Sequence, residues 1–274
     1  MLNVVCMKWG NKYPSYYVNR LHAGVQRWLE RDFRFICFTD DSAGVNADIE
    51  THPLPEEEFE AELIAGMQRR GRKGAWRKIS LLRPGLADME GPILGFDLDV
   101  AIAGPLDAIV DFAPQKVAMR REWRYEWQGR DGGHGSVFCL EPHLHPYLYE
   151  EFAADPAGAI DRHKGSEQYY TSMTALRHGS LAYLPGDLIC SFKRNAIPAW
   201  PFNYLRAPVL PDNCRVMCFH GRPSMEEAMS GYRRTLRYRC KPADWLARCW
   251  FDPAEALPTA SRRTPDHAPP CRSF

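Results

Sequence analysis

The 274-residue sequence contains no apolar run approaching the roughly 20 residues that span a bilayer. Its apolar start, Met1-Leu2-Asn3-Val4-Val5-Cys6-Met7, is short and lacks the basic lead of a secretory signal. A cytoplasmic protein is expected, with peripheral contact at the inner face of a membrane left open. An excess of charge is also missing: 35 Lys and Arg stand against 34 Asp and Glu, a formal net charge of +1. That balance removes the global electrostatic footprint of a nucleic-acid binder, so no nucleic acid is expected as a partner. The 9 cysteines are odd in number and irregularly spaced, which argues against a secreted disulfide framework. Cys214 and Cys218 have no second Cys/His pair to complete a zinc site. The cysteines read as reduced core residues. Internal repeats and low-complexity tracts are absent.

What is present alternates between strand and helix patterns. Residues 2–7 form a short continuous apolar strand, followed by a Gly- and Pro-punctuated loop at 8–14. Residues 16–31 place Tyr17, Leu21, Val25, Trp28 and Leu29 at helical spacing. A second strand covers 33–38, ends in Thr39-Asp40-Asp41, and is followed by a third within 48–54. The acidic run from Pro55 to Glu60 suits a solvated helix start. A basic, Gly-containing loop follows at 69–74, then a helix at 76–82 and a strand at 93–96. Further strands are expected at 117–119, 136–140, 182–184 and 215–219. A helix within 163–178 has Tyr169, Met173 and Leu176 as its apolar positions. The polar, Pro-rich end reads as a disordered tail.

This order predicts an α/β fold: a mostly parallel sheet with right-handed crossovers, flanked by helices. One domain is expected over 1–252, with a flexible tail at 253–274. Ligands of such sheets bind beyond the carboxyl ends of the strands. Asp40, Asp41, Asp97 and Asp99 all lie at such ends.

Asp97-Leu98-Asp99 is the most informative segment. It sits between the apolar runs Pro92-Ile93-Leu94-Gly95-Phe96 and Val100-Ala101-Ile102-Ala103. Strand alternation would aim both carboxylates the same way. Two like charges on one face raise each other's pKa unless a positive charge lies between them. A hard divalent cation bridging to a diphosphate is the natural partner, and a solvated turn is the competing reading. His220, after a short apolar strand and before Gly221 and Arg222, can complete a coordination sphere or be a hydrogen-bonded structural residue. Arg77 and Lys78 suit a diphosphate or a solvated helix face. Lys8, Trp9, Tyr13 and Asp40 can frame a nucleotide base, or the two aromatics can be lid residues of the core. Asp131, His134, Glu167 and Gln168 can orient a sugar or serve as ordinary loop residues. Arg233, Arg234, Arg237, Arg239 and Lys241, interleaved with Tyr232 and Tyr238, suit anionic lipid, nucleic acid, or the solvated helix that is the plainest reading.

Taken together, several strings resemble GT-A-fold glycosyltransferases, in particular the retaining family 8 group of glycogenin and the bacterial lipopolysaccharide galactosyl- and glucosyltransferases. The strings are "FICFTDD", "WRKISLL", "PILGFDLDVAIAGPLDAIVDF", "GHGSVFCL", "SEQYY" and "FHGRP". His134 stands where that family usually has Asn, Glu167 where it has Asp, and Ser224-Met225 where it has Lys-Pro.

The resemblance implies a metal-dependent, retaining transfer of a sugar from a nucleotide-diphosphate donor to a hydroxyl. The implied cofactor is Mn²⁺ or Mg²⁺, held by Asp97, Asp99 and His220. The implied donor is a UDP-sugar, contacted by Lys8, Trp9, Asp40, Arg77, Lys78, Asp97, Leu98, Asp99, Gly221 and Arg222. The acceptor would be a carbohydrate or glycolipid near His134 and Gly135, with Gln168 and Glu167 at the transferred sugar. Two rivals use the same residues: a haloacid-dehalogenase-like phosphatase with Asp97 as nucleophile, and a nucleotide-sugar binder without turnover.

Overall fold

The computed structural model describes residues 1–69, 71, 75–164 and 166–251. Most of the expected basic loop at 69–74 and all of the expected tail at 253–274 lie outside the described residues.

A seven-stranded sheet organises the chain. Its strands are β1 (Leu2–Lys8), β2 (Phe33–Thr39), β3 (Glu50–His52), β4 (Ile93–Phe96), β6 (Val117–Arg121), β7 (Gly133–Leu140) and β8 (Leu181–Leu184), in the order β3-β2-β1-β4-β7-β6-β8. The run from β3 to β4 is parallel, as is β6 with β8, whereas β7 is antiparallel to both its neighbours. The expected mostly parallel sheet is therefore present, with one reversed strand, β7, in its interior. A second sheet joins β5 (Val100–Ile102), β9 (Ile189–Ser191) and β10 (Val216–Cys218) in the order β5-β10-β9. The Asp97-Leu98-Asp99 tripeptide is the link from β4 in the large sheet to β5 in the small one.

Both faces of the large sheet are covered, which is why its strands read as unbroken apolar runs. In β1, Leu2, Val4 and Cys6 join one core while Val5 and Met7 join the other. The helix Tyr16–Trp28 packs on the first face, and the helices Glu60–Arg69, Tyr147–Ala154 and Glu167–Arg177 on the second. At the sheet edge, the Arg34 guanidinium bonds both Glu50 carboxylate oxygens, at 3.2 and 2.7 Å, and holds that carboxyl below its usual range. Glu50 therefore contributes stability at neutral pH that is lost as pH falls through its depressed pKa.

Three local expectations change. The segment 75–82 is helical but wound as a 3-10 helix, Ala75–Leu82, so consecutive side chains diverge by about 120°. The helix Glu167–Arg177 buries Glu167, Tyr170, Thr171, Ser172, Thr174 and Ala175, not the expected face of Tyr169, Met173 and Leu176. Small and hydroxyl-bearing residues win there because the helix lies close against β7. A Cβ at Gly133 would stand 3.0 Å from the Cβ of Ser172. The basic cluster at 233–241 is no solvated helix. Tyr232–Arg233 and Arg239–Cys240 pair antiparallel as a hairpin, consistent with aromatic and β-compatible residues at both ends.

Gly95 in β4 makes a close approach that bears on the site two residues later. A Cβ there would lie 2.1 Å from the Phe138 ring on the neighbouring strand β7. Gly95→Ala is therefore expected to cost about 1–3 kcal/mol through overpacking. Urea unfolding checks this: the midpoint should fall with the slope unchanged.

Candidate functional site

The cleft lies at the carboxyl ends of β1 and β4, where the two sheets meet. Leu98 is 2 % exposed and anchored in the first core, so its two acidic neighbours turn toward the cleft. The expected alternation holds even though the tripeptide lies outside any strand. Any contact between Leu98 and a ligand would run through its backbone.

Asp97 is closely held. Its backbone N–H donates to the Ser136 carbonyl at 2.9 Å. One carboxylate oxygen accepts from Lys78 Nζ at 2.8 Å and the other from Ser136 Oγ at 2.9 Å. Burial pushes this carboxyl up, but the Lys78 ammonium and the two hydrogen bonds outweigh burial and leave it below its usual range. Asp99 follows the opposite course. Burial and the neighbouring Asp97 charge lift it to about 6, against a 2.6 Å hydrogen bond from Tyr13 OH and the nearby Lys12 and Lys78. The pair is split into one firmly ionised acid and one strained toward protonation.

Lys78 is the internal cation of the site. It also donates to the Gly135 carbonyl at 3.1 Å and lies 3.8 Å from Glu167 Oε2. Burial works against its charge, yet Asp97 and Glu167 keep it protonated. Glu167 is buried at the first turn of its helix, where it accepts from Thr171 Oγ1 at 3.0 Å; burial raises its carboxyl despite Lys78. Gln168 Oε1 accepts from the Gly135 N–H at 3.0 Å, joining that helix to β7. A Cβ at Gly135 would stand 3.1 Å from Gln168 Cβ and 3.3 Å from Lys78 Nζ, so glycine keeps the three together.

Two imidazoles close one wall. His134 accepts from the Ser136 N–H at 3.3 Å through Nδ1 and packs edge-on to Trp123 with ring centroids 4.5 Å apart. Burial, with help from His220, lowers it to about 3. His220 shares a 2.8 Å hydrogen bond between Nε2 and Ser191 Oγ, and burial with Lys193 and Arg194 lowers it to about 4. Both rings are neutral at physiological pH. Lys193 donates to the His220 carbonyl and stands 3.3 Å from where a Gly221 Cβ would be.

Other expected residues sit apart from this group. Lys8 is buried and donates to the Asp41 carbonyl at 2.8 Å, and Asp40 accepts from the Gly10 N–H at 2.8 Å. With the half-buried Trp9, they form a corner at the ends of β1 and β2. Arg77 diverges from Lys78, pairs with Glu60, and lines a separate cavity with Met7, Leu54 and Leu63. Arg222 is mostly exposed and pairs with Glu227 at 3.0 Å. Asp131 bonds Tyr183 on the exposed side.

The sequence reading missed Ser136, Lys193 and Trp123, and took Tyr13 as part of a base-binding surface or as a lid residue of the core. Ser136 had a signal: a small hydroxyl residue two positions from His134, in a strand otherwise built of glycine and apolar residues. Lys193 had none, because its place depends on a short π-helical turn, Phe192–Ala196, after β9.

A hard divalent cation fits the carboxylate pair. Such ions accept one or two protein carboxylates and complete their shell with water and substrate phosphate oxygens. Burial first, and then the Asp97 charge, raise the Asp99 carboxyl, and Tyr13, Lys12 and Lys78 only partly offset them. His220 does not join the pair as folded: among the described residues, no three His, Cys, Asp or Glu gather as a metal-holding set.

No protein-family model and no curated protein matches the chain. Solved structures do. An active-site mutant of LgtC aligns with a TM-score of 0.55 at 14% identity, over 81% of this chain and 89% of that one. The galactosyltransferase LgtC in complex with donor and acceptor sugar analogues aligns at 0.52 and 14%, over 81% and 88%. The chain therefore has a GT-A-type fold, the architecture of the galactosyltransferase LgtC.

Proposed function

We propose that this protein is a glycosyltransferase that moves a sugar from a nucleotide-diphosphate donor to a hydroxyl acceptor. The observation that carries this reading is the Asp97/Asp99 pair, placed at the strand ends of a GT-A-type fold with one acid pinned by Lys78 and the other left in need of a cation. Mn²⁺ or Mg²⁺ would be held by Asp97 and Asp99, and supplies Lewis-acid stabilisation of the diphosphate leaving group when bound. A UDP-sugar, transferred with retention, is the form the family resemblance favours.

The chain's own residues do the rest by binding and positioning. Lys8, Trp9 and Asp40 frame the nucleoside corner. Lys78 fixes the orientation of Asp97 and carries positive charge beneath the donor. Gln168, held through Oε1, directs its amide N–H₂ group away from β7 and toward the sugar. Neutral His134, with Nδ1 accepting from the Ser136 N–H, carries its proton on Nε2, which lies 4.0 Å from Glu122 Oε2, and would shape the wall beside the sugar. Glu167 acts through Lys78 as a positioning residue.

The test is a thermal-shift panel of nucleotide sugars with and without Mn²⁺. A donor at about 100-fold its Kd should stabilise by about 2.7 kcal/mol, or roughly 5–10 °C in a domain of this size. The shift should depend on Mn²⁺, and the same donor should be turned over. If no nucleotide sugar raises the melting temperature under either condition, the reading fails.

A further inference from the structure

Among the described residues no helix is long and apolar enough to cross a membrane, yet one face of the molecule carries an open apolar surface. Trp200, Phe202, Leu205 and Leu236 are 55, 51, 74 and 67 % exposed. Monomeric proteins seldom leave large side chains clustered in this way unless something covers them. The residues come from two segments that are tied together. Tyr204 OH donates to the Leu236 carbonyl at 2.6 Å, and Asn203 Nδ2 donates to the Arg237 and Arg239 carbonyls at 3.0 and 3.1 Å.

Charge identifies the occupant. Segments 191–210 and 231–241 contain three and five Lys or Arg, and no Asp or Glu. The nearest acids in sequence, Asp212 and Asp244, lie outside both. Two guanidinium groups stand on the exposed rings, Arg237 at 5.1 Å from Trp200 and Arg206 at 5.3 Å from Phe202, and Arg239 lies 4.3 Å from the half-buried Tyr204. Exposed Trp and Leu ringed by arginine match the boundary of an anionic bilayer, where the rings enter the headgroup layer and the cations meet phosphate. A second copy of the chain is a poor occupant, because a two-fold contact would oppose arginine to arginine.

We propose that this surface docks the protein on anionic lipid. The hairpin also reaches the cleft rim, since Tyr238 OH donates to the Arg222 carbonyl at 3.0 Å, next to the loop of His220 and Gly221. Docking there places the cleft mouth beside the bilayer. With the transferase reading, on which this step alone rests, it selects an acceptor carried by a lipid.

Co-sedimentation of the full chain, without donor or metal, tests the surface independently of any transfer. Binding is expected to vesicles of phosphatidylcholine with phosphatidylserine and not to phosphatidylcholine alone, with weakening as salt rises. Arg237→Gln and Arg206→Gln should each lower partitioning about five-fold. The double variant Leu205→Asp with Leu236→Asp should lower it at least about ten-fold, from lost apolar insertion. These side chains are exposed, so an unchanged melting temperature separates lost docking from lost folding. Absence of binding to anionic vesicles overturns the proposal. So does unchanged binding by the double variant, or capture by an oligonucleotide but not by lipid. Donor-induced stabilisation without vesicle binding would leave the transferase reading standing and remove this one.

Discussion

Asp99→Asn is expected to cut transfer steeply while leaving the protein more stable than before. The two effects have one origin. Asp99 is held, largely buried, beside ionised Asp97, and its carboxyl is lifted to about 6 as a result. A carboxyl raised above its unfolded value destabilises the folded state at neutral pH, and that cost disappears as pH falls through the raised value. Asparagine removes the charge and keeps an oxygen to accept the Tyr13 hydroxyl proton. The gain should be on the order of 1 kcal/mol, or about 2–4 °C. Transfer should fall by a factor of about 100–1000, from the loss of several kcal/mol of charge stabilisation on the leaving diphosphate. Turnover with a Mn²⁺-supported donor and calorimetric melting measure the two arms. A residue kept only for packing or for a turn would show the reverse: little change in turnover and a lower melting temperature. Strain retained where it lowers stability is a mark of a functional site.

The position of this pair was legible before any coordinates. Two acids flanking a leucine, between apolar runs that demand burial, already implied the end of a buried strand and an unmet charge. The strands themselves were equally plain, because a sheet covered on both faces writes continuous apolar strings. What the sequence concealed was the identity of the charge between the acids. Lys78 neighbours Arg77 in sequence, and on any helix adjacent side chains point about 100–120° apart, so only one of the two could face the acids and the sequence did not say which. The fold sends Lys78 to Asp97 and Arg77 to Glu60. The helix at Glu167–Arg177 hid its inner face for a related reason: glycines across from it on β7 let it approach closely, so Thr and Ser are buried where apolar periodicity expected Met and Leu. Arg222, expected at the donor in a stretch that departs from the family's Lys-Pro, is paired with Glu227, the third residue of the next helix.

Lys78→Met is expected to produce the largest loss of stability in the cleft, and a loss with an unusual pH dependence. The side chain is 12 % exposed and faces two carboxylates, Asp97 at 2.8 Å and Glu167 at 3.8 Å. Methionine fills comparable space but leaves both acids without their cation. Removing one partner of a buried pair typically costs about 3–5 kcal/mol. The lower end applies, because Asp97 retains some solvent contact and its bond to Ser136. In the native protein Asp97 sits below its unfolded pKa, so its contribution is present above that value and is lost as pH falls through the depressed one. In the variant the lowering influence is gone and burial dominates, so Asp97 rises above its unfolded value and Glu167, already raised, rises further. Their destabilisation is then greatest at neutral pH and is relieved on acidification through the raised values. Urea unfolding between pH 4.5 and 7.5 should show the stability lost on substitution growing with pH, on top of the fall that raised Asp99 and Glu167 already give the native protein. Adding Glu167→Gln to Lys78→Met should recover part of the loss, since one of the orphaned charges is then removed. A variant that loses stability equally at every pH would assign Lys78 a packing role and leave Asp97 held by Ser136 alone.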